Sequence, residues 1–162
     1  MAEQTAFTWD GRERALDDPH GATVVVRRRH PELGLQFLLL HRAVNGIGFE
    51  GDWARTAPAG CRLPGEPVYP AAIRELAEEA GISGYDVWPV DLCVPAQGGY
   101  TWSVFRLDVP VDQSIELVDP EHDRWARLSA ARRCSAFAHW RWPTSRCGDW
   151  STYPSCRRPS DR

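Results

Sequence analysis

Between Gly60 and Ile82 the chain reads GCRLPGEPVYPAAIRELAEEAGI, which gathers four acids, Glu66, Glu75, Glu78 and Glu79, around Arg74. Pro70 suits the first turn of a helix, where its missing N–H is not needed, and Gly81 before Ile82 suits a left-handed helix stop. The spacing therefore predicts a helix over roughly 70–80. At about 100° per residue, Glu75, Glu78 and Glu79 fall on one face, and Ile73, Leu76 and Ala80 on the other. Like charges at this spacing cost a helix about 0.2–0.5 kcal/mol per pair unless a cation intervenes. A hard divalent ion, Mg²⁺ or Mn²⁺, is the natural partner for oxygen-only ligands. A solvated acidic helix face has the same composition, so residue type alone leaves both readings open.

Groups that could hold a polyanionic substrate lie on either side. Arg42, Arg55 and Arg62 are candidate phosphate contacts, because guanidinium forks match phosphate oxygens. Phe49 sits in a loop, Asn45–Asp52, that holds three glycines, and with Trp53 it could stack on a base, although Trp53 equally suits a core position. The whole-chain charge does not favour nucleic acid: acids outnumber bases by 22 to 19, and Arg27–Arg29 lacks interleaved aromatics and reads as a solvated strand end. No apolar run reaches membrane-spanning length and the N-terminal residues lack an apolar signal core, so the expected location is cytoplasmic with no membrane partner. The five cysteines, at 61, 93, 134, 147 and 156, form no C-x-x-C pair and are odd in number. They indicate reduced thiols, not a zinc site or a disulfide framework.

The elements that must position these groups follow from periodicity. Ala22–Arg29 and Leu35–His41 read as strands of a hairpin closed by the turn Pro31–Gly34, and Trp53–Ala57 as a short strand entering the acidic stretch. Tyr85–Val94 is expected as a strand with Pro89 at an edge or bulge. Gly99–Val109 alternates, with Tyr100, Trp102 and Val104 on one face and Thr101, Ser103, Phe105 and Leu107 on the other. His122–Leu128 forms the last strand, with Trp125 expected to face the core, and Ser129 can cap a helix from Ala130 to about Trp140. The 162 residues suffice for one domain, placed at 22–140. Residues 1–21 read as a loose lead-in or short strand; 141–162, within a stretch without Leu, Ile, Val or Met, are expected to be a disordered tail.

The acidic stretch also matches a long pattern. Gly60, Glu66, Arg74-Glu75-Leu76, Glu78-Glu79 and Gly81-Ile82 reproduce G-x5-E-x7-R-E-U-x-E-E-x-G-U, with U aliphatic, at every fixed position. This resembles the Nudix box, although Cys61 stands where a second glycine is common. The resemblance implies an α/β fold, a Nudix-like α/β/α sandwich with a mixed sheet. It also implies hydrolysis of a nucleoside diphosphate linked to another moiety, with Mg²⁺ or Mn²⁺ as cofactor and a small-molecule nucleotide as partner. By box position, Glu75, Glu78 and Glu79 are expected metal ligands together with Glu66, and Glu75, Glu78 and Arg74 are expected catalytic groups, Arg74 holding Glu75 or Glu66 in place. Gly60 and Gly81 are expected to let the backbone turn at the two ends. A further acid outside the box is expected at Glu121.

Two finer likenesses bear on substrate. The stretch EHDRWARL, Glu121–Leu128, resembles the E-H-x-x-aromatic-x-W-L segment of the family's diadenosine tetraphosphate and dihydroneopterin triphosphate hydrolases, with Arg127 departing from it. Tyr100 falls where dinucleoside polyphosphate hydrolases of the family carry a tyrosine. A dinucleoside polyphosphate or a nucleoside triphosphate is the substrate this implies. The alternative is a Nudix-like sensor that binds nucleotide without turnover, and the oligomeric state stays open.

Overall fold

The computed structural model describes residues 6–8, 11–43, 55–95 and 99–129. Phe49, Trp53, the helix expected after Ser129 and the expected tail over 141–162 lie outside the described residues. Strands β1 (Ala6–Phe7) and β2 (Glu13–Arg14) make a small antiparallel pair. The main sheet is built from β3 (Gly21–His30), β4 (Gly34–Arg42), β5 (Arg55–Thr56), β6 (Ala59–Cys61), β7 (Trp88–Pro95), β8 (Thr101–Asp108) and β9 (His122–Ser129), with helix α1 (Val68–Ala80) between β6 and β7. Its path runs β5-β4-β3-β8-β7, with β6 beside β3 and β9 beside β4. The sheet is mixed, since β3 and β8 run parallel while the other pairs are antiparallel.

One departure from a simple hairpin shapes everything downstream. β3 and β4 pair only where they meet the turn, from Arg27↔Phe37 to His30↔Gly34. Beyond that they splay: β3 takes β6 through Gly21↔Cys61 to Thr23↔Ala59, and β4 takes β5 through Leu40↔Thr56 and His41↔Arg55. The segment 55–61 thus fills the gap, fixed by the Val24 N–H donating to the Pro58 carbonyl at 2.8 Å. This leads the chain directly from the sheet into the acidic helix.

Helix α1 packs chiefly over β3 and β6. Ala72, Leu76 and Ala80 meet Val24 and Val26 of β3, Leu38 and Leu40 of β4, and Phe105 and Leu107 of β8 in one buried cluster. The alternation expected for β8 holds, with Ser103, Phe105 and Leu107 buried. The helix starts two residues before the expected Pro70, at Val68, and keeps that proline in its first turn. It ends at Gly81, whose φ of 64° no side-chain-bearing residue adopts cheaply and whose N–H donates to the Ala77 carbonyl at 3.1 Å. Pro89 lies on β7, at the end of the sheet path, beside an irregularity in register, as a residue without an N–H requires.

Two expectations are corrected. Trp125 does not enter the core: it is 45% exposed, on a strand that borders β4 and not β3 or β6, over which α1 chiefly packs, and the Arg127 guanidinium lies 5.8 Å from its ring centroid. Arg62, expected at phosphate, is 6% exposed and its guanidinium donates to the Glu66 carbonyl at 2.7 Å and the Asp17 carbonyl at 3.0 Å. Its Nε reaches the Pro19 carbonyl and its Nη2 the Asp17 carboxylate at 2.7 Å. Arg62 is a staple that ties the segment before β3 to the entry of the helix. No helix among the described residues is long and apolar enough to cross a membrane.

Candidate active site

The box acids converge where α1, β6 and the start of β9 meet. Arg74 is the hub. Its Nε and Nη2 donate to the two oxygens of Glu66, each at 2.9 Å, while Nη1 donates to Glu75 at 2.6 Å and to Glu78 at 3.1 Å. Nη2 also reaches the Cys61 carbonyl at 3.0 Å, so one guanidinium fixes the helix against β6. Glu66 accepts in addition from the Leu63 N–H at 2.9 Å, and these donors hold its carboxyl below the usual range, with Arg74 the main cause. Glu66 therefore anchors Arg74, with both of its oxygens accepting from that guanidinium.

Gly60 has a different reason to be glycine than the expected backbone turn. It lies within β6, without positive φ, and a Cβ there would land on the carboxylate of Glu75. Glu75 lies across the bare backbone and is buried. Burial pushes its carboxyl up to about 7 despite the opposing Arg74, with Glu78 and Glu121 adding repulsion. Glu79 is buried too, accepting from the Ala59 N–H at 2.8 Å, and burial pushes it up to about 9, with Glu75, Glu121 and Asp119 contributing negative field. Glu78 is the exposed member of the triplet, with its side chain 38% accessible.

Glu121 arrives by a route no local pattern encodes. The loop after β8 docks on the C-terminal end of α1, where the Glu116 N–H donates to the Ala80 carbonyl and the Asp119 N–H to the Glu78 carbonyl, each at 3.1 Å. These bonds satisfy helix-end acceptors that otherwise lack partners. They also bring Glu121, whose N–H donates to the Asp119 carboxylate at 2.7 Å, beside Glu79. Arg42 at the end of β4 forms an ion pair with Glu121.

The structure adds His122, which the sequence offered only as the neighbour of Glu121. The first residue of β9, it is 4% exposed, and neither ring nitrogen has a hydrogen-bond partner among the described residues. Its Nδ1 lies 4.0 Å from Oε1 of Glu79, and burial, then Arg42, lower its pKa to about 4, so the ring is neutral near pH 7. One ligand atom from each of Glu79, Glu121 and His122 lies within 4.8 Å of the others. The adjacent E-H pair opening a strand was the only available sequence signal.

The substrate candidates sit further out. Arg55 lies on β5 opposite His41 of β4. Tyr100 is partly exposed, but its hydroxyl accepts from Arg14 at 2.9 Å, the Arg14 guanidinium covers a ring face at 4.5 Å, and the His20 ring stands perpendicular to it with centroids 5.2 Å apart. A base stacking on that face would displace Arg14.

Residues 18–145 match the model of the NUDIX domain. Among solved structures, the chain is similar to the Caenorhabditis elegans Ap4A hydrolase binary complex, with a TM-score of 0.60 and 21% identity over 74% of this chain and 87% of that one. It is similar to the Trypanosoma brucei MERS1–RNA complex, with a TM-score of 0.61 and 20% identity over 77% of this chain and 56% of that one. A third is the NUDIX domain of Shewanella oneidensis NrtR complexed with ADP ribose, at 0.54 and 15% over 71% and 75% of the two chains. At such identities the likeness is one of fold. None of the curated proteins gives a significant match.

Proposed function

The chain belongs to the NUDIX family and is a pyrophosphohydrolase of the NUDIX type, and from that premise we propose that it cleaves a nucleoside diphosphate linked to another moiety with a divalent cation, Mg²⁺ or Mn²⁺, held by the box acids. The observation that carries the reading is the burial of Glu75 and Glu79 beside Glu121. Buried carboxylates so close together stay ionised near neutral pH only when a cation joins them. A divalent ion held there would neutralise the diphosphate bridge, acidify a water and stabilise the departing phosphate.

The side chains do the positioning. Arg74 sets the angle of Glu75, the Ala59 N–H pins Glu79, and the bare Cα of Gly60 leaves room for Glu75. Water attacks one phosphorus of the bridge, the P–O bond to the bridging oxygen breaks, and its electron pair leaves on the departing phosphate. The proton of the water passes to a helix carboxylate, Glu75 or Glu78. Arg42, which pairs with Glu121, is the arginine assigned to phosphate oxygens in this reading, since its guanidinium fork matches them.

A dinucleoside polyphosphate or a nucleoside triphosphate is the favoured substrate. Support comes from the E-H start of β9 and from the fold-level likeness to an Ap4A hydrolase. The test is a turnover screen with Mg²⁺ and Mn²⁺ across diadenosine tetraphosphate, the nucleoside triphosphates and ADP-ribose, repeated with Glu79→Gln. Metal-dependent turnover that falls at least about a hundredfold in the variant is expected. Nucleotide binding without turnover would make the chain a sensor, and preferred cleavage of ADP-ribose would overturn the substrate assignment.

A further inference from the structure

We propose that His122 is a nitrogen ligand to a divalent ion shared with Glu79 and Glu121, giving the site a preference for first-row transition metals over Mg²⁺. The inference rests on the reading above, that the box acids hold a cation, and adds to it a donor of another chemical kind.

A neutral imidazole carries one N–H donor and one bare acceptor. Both are buried at His122 without a hydrogen-bond partner among the described residues, which is rare for a polar group so fully removed from water. The nearest carboxylate oxygen, on Glu79, is 4.0 Å away, too far for a hydrogen bond. It is not too far for a shared ion. Nitrogen and oxygen ligands lie about 2.0–2.2 Å from a first-row divalent metal, so two donors on one ion are at most about 4.4 Å apart. The span of 4.8 Å that encloses all three donors closes with a shift of about half an ångström, within the reach of a glutamate side chain.

The second oxygen of Glu79 is already tied to the Ala59 N–H, which fixes Oε1 as the oxygen nearest the ring. Backbone geometry holds His122 as firmly. Its N–H donates to the Asp119 carbonyl at 3.3 Å, and it begins a strand paired with Arg42. Imidazole nitrogen suits Zn²⁺, Fe²⁺ and Ni²⁺, whereas Mg²⁺ takes oxygen, and Mn²⁺, also at home on carboxylates, is the paramagnetic first-row ion that reports a bound nitrogen.

The experiment uses the full chain, stripped with chelator and loaded with Mn²⁺, and reads nitrogen coordination by pulsed electron paramagnetic resonance. The expected result is a directly bound ¹⁴N signal in the parent that disappears in His122→Gln. Titration should show Mn²⁺ affinity falling about tenfold or more in the variant while Mg²⁺ affinity changes much less. Mn²⁺ bound to the parent with no ¹⁴N signal would overturn the role of His122 and leave the acid site standing. Absence of any Mn²⁺ binding that depends on Glu79 would sink both. The parent spectrum decides the matter even if the variant folds poorly.

Discussion

Glu79 makes the metal-free protein sensitive to alkaline pH in a way that can be worked out from its surroundings. Folded, its carboxyl holds a proton up to about pH 9; unfolded, it returns to the ordinary 4.5. A group that binds its proton more tightly in the native state stabilises that state at low pH, and the contribution is lost as pH rises from 4.5 through 9. Glu75 acts in the same direction but is exhausted by about 7, and His122, lowered to about 4 from 6.5, acts in the opposite direction only below neutrality. Among these three groups the interval from about pH 7 to 9 belongs to Glu79, and at 1.36 kcal/mol per unit it corresponds to a loss of about 2 kcal/mol. For a chain of this length that is about 7 °C in Tm. The assay is thermal unfolding in chelator across the interval for the parent and Glu79→Gln. The amide keeps the acceptor for the Ala59 N–H but has no proton to lose. The parent should fall by that amount more than the variant, and saturating Mg²⁺ should restore the parent more at pH 9 than at 7, because the metal and the proton compete for one carboxylate. Parallel curves, agreeing within about 2 °C over the interval, would refute the argument.

Further outcomes follow from individual contacts. Gly60→Ala places a methyl on the Glu75 carboxylate, so metal affinity should drop about 10–100-fold while circular dichroism stays that of the parent; unchanged affinity would mean Glu75 moves without consequence. Arg62→Met leaves three backbone carbonyls without their donor and should cost about 2–3 kcal/mol in chemical denaturation. A raised KM at unchanged stability would instead return Arg62 to the substrate. Tyr100→Ala should raise KM about tenfold with kcat nearly constant if the ring carries a base, whereas an unchanged KM would leave the ring to Arg14 and His20.

The sequence by itself determined the acidic helix, its glycine stop and the strands around it. Those features are local: an i, i+3, i+4 spacing places Glu75, Glu78 and Glu79 on one face in any helix, and alternation in β8 selects Ser103, Phe105 and Leu107 whatever lies above them. The role of Arg74 was also within reach, because its partners are its neighbours on the helix and Glu66, just before the helix begins.

What tertiary structure alone decided is which distant groups share a space. Trp125 alternates correctly yet stays exposed, since alternation assigns a face and only the layer above decides whether that face is covered. Arg62 looks like any phosphate-binding arginine until the segment before β3 wraps its guanidinium in carbonyls. Gly60 is required by a carboxylate from another element lying on its Cα, and His122 acquires its meaning because the loop after β8 satisfies the end of α1 and thereby carries it, with Glu121, to Glu79. Each depends on a contact between segments far apart in the chain, and no periodicity within a segment specifies the surface against which it packs.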